Sequence, residues 1–164
     1  MKLLREILYK VEINSVVGNT SLSINKIEFD SRLISDGDMY IAITGVNVDG
    51  HSFISQAIKN GANCIVCEKI PDNKTDGVVY VNVKSSRKAL AIISSNYFDN
   101  PSSKLNLIGV TGTNGKTTIA TLLFDLYTEL EIKSGLISTV KISYDNKNFQ
   151  ANQTTPDSLS INRF

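Results

Sequence analysis

The order of apolar and polar residues along the chain predicts alternating helices and strands. Apolar positions three and four apart have the period of an amphipathic helix, whereas compact apolar runs bounded by turn residues favour strands. Helices are predicted on this basis over residues 3–8, 52–60 and 85–97. Strands are predicted over residues 23–29, 39–43, 62–67 and 78–81. This alternation predicts a small α/β domain.

A polar stretch at residues 98–104, which contains Pro101, has the composition of a linker. After it, an apolar run over residues 105–111 predicts a buried strand. A helix over 117–130 and strands over 133–139 and 140–144 are predicted to follow. The order strand, loop, helix, strand is how a parallel α/β sheet begins. The predicted fold class is therefore α/β, with domains at residues 1–100 and 105–164, the second incomplete and expected to expose apolar surface.

Composition narrows the possible functions. The 164 residues suit one ordinary domain, or a small domain with part of a second. Hydrophobic residues make up 41% and the formal net charge is +1, so a packed core is expected and a nucleic-acid surface is not. No apolar run approaches the ~18 residues that cross a bilayer, and the N-terminus does not resemble a signal peptide. The expected location is the cytoplasm, without membrane contact.

The cysteines and the histidine are expected to be structural. Cys64 and Cys67 have CxxC spacing, but they lie on a predicted strand, where residues three apart point to opposite faces. No second CxxC is present, which favours core packing over a metal or redox site. His51, the only histidine, lies near a predicted helix start and is expected to cap or pack.

A glycine-containing loop lies between the predicted strand and the predicted helix of the second part. It reads Gly112-Thr113-Asn114-Gly115-Lys116-Thr117-Thr118. Glycine lets backbone N–H groups turn toward phosphate oxygens, and the N-terminus of the helix adds partial positive charge. All residues of this loop are predicted to bind ATP. Lys116, on the β- and γ-phosphates, and Thr117, as a Mg²⁺ ligand, are also the predicted catalytic residues.

The loop departs from the strict phosphate-loop pattern at one position. The pattern G-x-x-x-x-G-K-[ST] requires glycine at position 110, where this chain has Val110. The strand and helix around the loop still favour phosphate binding over a glycine-rich turn that ends in a surface lysine.

The segment 110–118 resembles the ATP loop of the Mur ligases, which reads T-G-T-N-G-K-T/S and has the same shift. Folylpolyglutamate synthase and cyanophycin synthetase carry a similar loop, so the loop alone indicates the superfamily. Upstream, Phe29-Asp30-Ser31-Arg32 and Asp49-Gly50-His51 resemble the first domain of the MurE branch. Downstream, Gln153-Thr154-Thr155-Pro156 resembles the T-T-P segment of that branch. The resemblance covers nearly the whole chain.

The resemblance implies an ATP- and Mg²⁺-dependent ligase of peptidoglycan synthesis. Such an enzyme adds meso-diaminopimelate or L-lysine to UDP-N-acetylmuramoyl-L-alanyl-D-glutamate (UDP-MurNAc-L-Ala-D-Glu) through an acyl phosphate, and is a monomer at full length. The uridine-diphosphate portion would be bound at Phe29, Ser31, Val46, Asn47 and Val48, the last three through backbone atoms. The muramyl-peptide portion would be bound at Gln153, Thr154 and Thr155.

The family also uses an acidic Mg²⁺ ligand, a carbamylated lysine and a C-terminal amino-acid-binding domain, none of which can be located up to Phe164. The resemblance therefore implies the N-terminal third of such an enzyme, inactive in ligation by itself. The alternatives are a MurF-type or other Mur-superfamily ligase, a non-catalytic UDP-sugar-binding fragment, and a regulatory phosphate-loop switch. A ligation assay and a titration with UDP-MurNAc-peptide distinguish them.

Overall fold

The computed structural model describes residues 1–45, 48–145, 147–150 and 155–164. The chain divides into two units, Met1–Pro101 and Ser102–Phe164. The helices of the first unit are α1 (Leu4–Ile7), α2 (Ile54–Lys59) and α3 (Ser86–Tyr97). Its strands are β1 (Lys2–Leu3), β2 (Ile13–Val17), β3 (Ser23–Ile24), β4 (Ile27–Glu28), β5 (Asp38–Ile41), β6 (Ala62–Cys67) and β7 (Val79–Val83).

Five of these strands form one mixed sheet in the order β2-β7-β6-β5-β4. Strands β4 to β7 are parallel, whereas β2 pairs antiparallel with β7. The central strands are almost wholly buried, because parallel strands are covered on both faces and need near-continuous apolar sequence. Leu90 and Ile93 of α3 and Ala57 of α2 add to the buried core. The predicted α/β class is confirmed.

The cysteines pack in this core, as the strand assignment predicts. Cys64 and Cys67 are both fully buried and both free. Burial raises the pKa of the Cys64 thiol far above its ordinary value and that of Cys67 to about 11. Both thiols are therefore protonated near neutral pH, which makes them poor nucleophiles and poor metal ligands.

Two predicted elements of the first unit are each divided in the structure. The strand predicted over 23–29 is interrupted, because β3 pairs with β1 while β4 pairs with β5. The helix predicted over 52–60 begins with a 3₁₀ turn at Gly50–Phe53 before α2. α2 ends at Lys59 and is followed, after Asn60, by Gly61, whose φ of +111° favours glycine.

The second unit contains α4 (Lys116–Glu129) and α5 (Ser158–Arg163). Its strands are β8 (Gly135–Ile137), β9 (Lys141–Tyr144) and β10 (Lys147–Gln150). They pair antiparallel in the order β10-β9-β8. Tyr144, Phe149 and Phe164 form an aromatic cluster on this sheet, with ring centroids 5.2 to 6.3 Å apart.

The prediction of a buried strand over residues 105–111 is wrong. The segment has no strand structure, and the side chains of Leu105, Leu107 and Ile108 are more than half exposed. A strand of a parallel sheet depends on hydrogen-bonded neighbours, and no strand in the described part of the chain pairs with this segment. The predicted exposure of apolar surface in the second part is confirmed.

No helix within the described residues has the length and apolar character needed to span a membrane.

Candidate functional site

Four parallel strands of the first unit end at the same edge of its sheet. Ligands of open α/β sheets bind outside the carboxyl ends of their strands, so this edge is the candidate substrate site. The segments that follow the strands are Phe29–Ser31 after β4, the loop from Thr44 to Gly50 after β5, Glu68 after β6, and Ser85 with Ser86 after β7.

The segment after β4 is a capped turn. The Asp30 carboxylate accepts from the backbone N–H of Arg32 at 3.0 Å and begins a 3₁₀ turn at Ser31. Its second oxygen is 2.6 Å from the Arg32 guanidinium, which holds the pKa of Asp30 below its ordinary value. Ser31 is buried, and its carbonyl accepts from the Asn60 side chain at 2.8 Å. Phe29, which directly precedes this turn in sequence, is partly buried.

The segment after β5 is a short hairpin that ends in a second capped turn. Thr44 pairs with Asp49, and the Gly45 N–H donates to the Val48 carbonyl at 3.0 Å. The Tyr40 hydroxyl holds the end of this loop by donating to the Gly50 carbonyl at 2.9 Å. Burial and then the carboxylates of Asp30 and Asp49 raise the pKa of Tyr40 to about 12, so it remains a donor.

Of the three predicted substrate residues of this loop, the structure describes only Val48. Val48 is exposed, with 58% of its surface accessible. Val46 and Asn47 lie outside the described residues.

The second unit carries the predicted phosphate loop at the N-terminus of its longest helix. Gly112 and Gly115 have φ of +152° and +79°, which side-chain-bearing residues rarely adopt. α4 begins directly after Gly115, and no side chain caps its first N–H groups. A 14-residue helix that begins at a glycine loop presents those N–H groups and a partial positive charge to an anion.

The two predicted catalytic side chains lie in the first turn of α4. The Lys116 ammonium donates to the carbonyls of Gly112, at 2.6 Å, and Thr113, at 3.2 Å. It therefore lies against the loop that would hold phosphate. The Thr117 hydroxyl is 3.5 Å from that of Thr139. Thr113, Asn114 and Thr118 are exposed beside them.

The Thr117 hydroxyl could supply one of the ligands of a Mg²⁺ ion. Mg²⁺ in nucleotide sites retains water and phosphate oxygens and takes few ligands from the protein, so Thr117 fits as one of them. Among the described residues, no group of three or more His, Cys, Asp or Glu could hold a metal ion.

The third predicted segment is described only in part. Gln153 and Thr154 lie outside the described residues. Thr155 is exposed and precedes Asp157, which caps α5 by accepting from the Ser160 N–H at 2.9 Å.

One group at the first-unit edge was not predicted from the sequence. The His51 Nε2 accepts from the backbone N–H of Glu68 at 2.9 Å. The Glu68 carboxylate in turn accepts from the Ser86 N–H, at the start of α3, at 2.8 Å. The spacing of Asp49 and His51 indicates the cap, but no sequence pattern connects either residue to Glu68.

Two family models match the chain. One, described as Mur ligase family, catalytic domain, matches residues 23–98, and the other, described as Mur ligase middle domain, matches residues 110–164. The chain belongs to the Mur ligase family, whose members are ATP-dependent ligases.

Curated relatives indicate the branch of this family. The chain is 48% identical over 161 residues to the UDP-N-acetylmuramoyl-L-alanyl-D-glutamate–2,6-diaminopimelate ligase of Cytophaga hutchinsonii. It is 43% identical over 162 residues to the ligase of that name in Clostridium tetani. Each alignment covers 98% of this chain and 33% of the relative, so the chain spans about a third of the length of the curated relatives it matches. The MurE-branch resemblance is confirmed.

Solved structures agree on the fold. A structure of a UDP-N-acetylmuramoyl-L-alanyl-D-glutamate–2,6-diaminopimelate ligase has a TM-score of 0.72 at 22% identity, covering 99% of this chain and 32% of that one. The MurF ligase of Thermotoga maritima, solved in complex with ADP, has a TM-score of 0.54 at 29% identity, covering 84% of this chain and 28% of that one.

Proposed function

We propose that this chain is the substrate- and ATP-binding portion of a ligase that joins 2,6-diaminopimelate to UDP-MurNAc-L-Ala-D-Glu. The observation that carries the proposal is the phosphate loop at the start of α4, in a chain that aligns over 98% of its length with ligases of that name. These names favour diaminopimelate over L-lysine.

In the second unit, Gly112 through Thr118 would hold ATP. The loop and helix N–H groups would bind phosphate oxygens, and Lys116 would offset the charge that builds on the transferred γ-phosphoryl group. Bound at Thr117, Mg²⁺ would supply further charge neutralisation. The D-Glu carboxylate attacks the γ-phosphorus and releases ADP, and the amine of diaminopimelate then attacks the acyl carbon and releases phosphate. The protein mainly positions these groups.

In the first unit, the carboxyl edge of the sheet would bind the uridine-diphosphate portion. Phe29 offers an aromatic face, Ser31 a hydroxyl, and the loop from Val46 to Val48 its backbone. Gln153, Thr154 and Thr155 would contact the muramyl-peptide portion.

A second candidate function is binding without ligation. It is favoured by the exposed face of α4, where Leu122 and Leu126 are more than half accessible. On this account the chain binds UDP-MurNAc-L-Ala-D-Glu and turns over no ATP.

The Lys116→Ala variant tests the ATP site in a protein that carries this segment at the full length of its relatives. We expect loss of at least about 100-fold in ATP affinity, since a charge-assisted contact to phosphate is removed. Lys104→Ala, an exposed lysine in the same unit, is the matched control and should bind ATP normally. Unchanged ATP affinity in Lys116→Ala would contradict the assignment.

A further inference from the structure

The hairpin between β5 and α2 is closed by close backbone contacts. The Gly50 N–H donates to the Ile43 carbonyl at 2.9 Å, and this bond is nearer the sheet than the bond between Gly45 and Val48. A Cβ on Gly45 would lie 2.7 Å from the Val48 carbonyl oxygen, and one on Gly50 would lie 2.8 Å from the backbone of Ile43. Only glycine fits at these two positions without a shift of the backbone, so the backbone path at the base of the loop is tightly restricted.

The Asp49 carboxylate holds that base together from one side. Its Oδ1 accepts from the His51 backbone N–H at 3.0 Å and lies 2.7 Å from His51 Nδ1. It also accepts from the Thr44 hydroxyl at 3.4 Å, across the hairpin. One carboxylate therefore connects both ends of the loop.

The imidazole of His51 connects the loop to the next strand. Nε2 accepts from the Glu68 N–H, so Nδ1 is the ring nitrogen that donates to Asp49. The side chain is 16% exposed, so it is held by packing as well. His51 thus links the loop base to the end of β6.

The start of helix α3 also bonds to Glu68 and to the base of the loop. The Glu68 side chain accepts from the Ser86 N–H, and the Arg87 guanidinium donates to the Thr44 carbonyl at 3.3 Å. The loop base is therefore fixed to two further segments of the sheet edge. By contrast, the Val48 side chain is exposed.

We propose that Asp49 and His51 are positioning residues, which fix the loop so that its backbone at Val48 meets the uridine-diphosphate portion of the substrate. The inference rests on the proposed function. A loop whose base is held before binding loses less conformational entropy when the ligand arrives, so the pair contributes to affinity without touching the ligand. Its loss raises KM for the UDP-linked substrate and leaves kcat nearly unchanged.

The test uses His51→Phe, which keeps a ring of similar size but accepts and donates nothing. We expect about ten-fold weaker binding of uridine diphosphate by calorimetry, the scale of one or two lost hydrogen bonds. The amides of Gly45 and Gly50 should exchange faster with solvent, without any ligand present. His51→Gln, whose amide oxygen can replace Nε2 as an acceptor for Glu68, should recover part of both effects.

Ser95→Ala, which removes a 3.1 Å bond to Asn100 near the other end of α3, is the control and should change neither measurement. If folded His51→Phe binds uridine diphosphate as the parent does and exchanges its loop amides no faster, the inference fails and the proposed function stands. If the parent chain does not bind uridine diphosphate, the proposed function fails, and the positioning role fails with it.

Discussion

The candidate sites of the two units lie on secondary structure that differs in how deeply it is buried. In the first unit the site lies on a sheet whose central residues are fully buried, as at Ile65 and Val66. In the second, no residue of α4 is buried, although the helix carries the phosphate loop. Burial of apolar surface is the main favourable term in folding, so we expect the first unit to be the more stable of the two.

Their polar contacts differ in the same way. Besides local bonds such as Asp49 to His51, the first site has bonds that join residues far apart in sequence, such as His51 to Glu68 and Glu68 to Ser86. The bonds of the phosphate loop join Lys116 to residues three and four positions before it. The first site therefore depends on the fold, whereas the second is encoded in a short segment.

We expect the largest difference between the units in the unfolding free energy that a leucine-to-alanine substitution removes from a helix of each. Leu90 of α3 is 3% exposed and Leu126 of α4 is 53% exposed. We expect Leu90→Ala to lower the free energy of unfolding by about 3 kcal/mol, because it leaves a cavity, and Leu126→Ala to change it by less than about 0.5 kcal/mol. Urea denaturation followed by circular dichroism measures both.

Equal losses in the two variants would contradict this comparison, since they would mean that the α4 face is packed in solution.

A smaller contrast concerns two glycines with positive φ. A Cβ on Gly61 would lie 2.6 Å from the Asp36 Cα, whereas one on Gly115 would meet nothing within 4 Å. Gly115→Ala carries only the left-handed backbone penalty, about 1 kcal/mol. Gly61→Ala adds a backbone clash and should cost more than about 2 kcal/mol. Thermal unfolding of the two variants gives the order, and a reversed order would be inconsistent with the described packing.

The smallest effect is a titration at the first site. The backbone N–H and then the side chain of His51 hold the pKa of Asp49 below its ordinary value. The stabilisation this represents is present above the ordinary pKa of about 3.9 and is lost as pH falls through the lowered value. In His51→Phe, we expect the pKa of Asp49 to move up toward its ordinary value, as measured by carboxyl-carbon NMR. An unmoved pKa would show that the imidazole contributes nothing.

Sequence patterns predict what is local in this molecule. The phosphate loop, the helix after it and the Ser85 cap of α3 all depend on neighbouring residues, and each lies close to its predicted position. The buried strands of the first unit are predicted as well, because their continuous apolar runs reflect cover on both faces.

The features that the sequence did not predict depend on contacts between residues distant in sequence. The run over 105–111 has strand composition, but composition does not supply pairing partners, and the segment is exposed. The antiparallel β10 was not predicted, because its alternation of polar residues and Phe149 carries little apolar signal. The link from His51 to Glu68 joins residues 17 positions apart, which no local pattern reports.

The most direct test of the central claim is an amide NMR titration of the chain with UDP-MurNAc-L-Ala-D-Glu. We expect saturable shifts at Phe29, Ser31 and Val48, at the carboxyl edge of the first sheet. The opposite ends of those strands, at Ala62 and Val79, should be unaffected. A folded chain with no saturable shifts, or with shifts confined to the opposite edge, would contradict it.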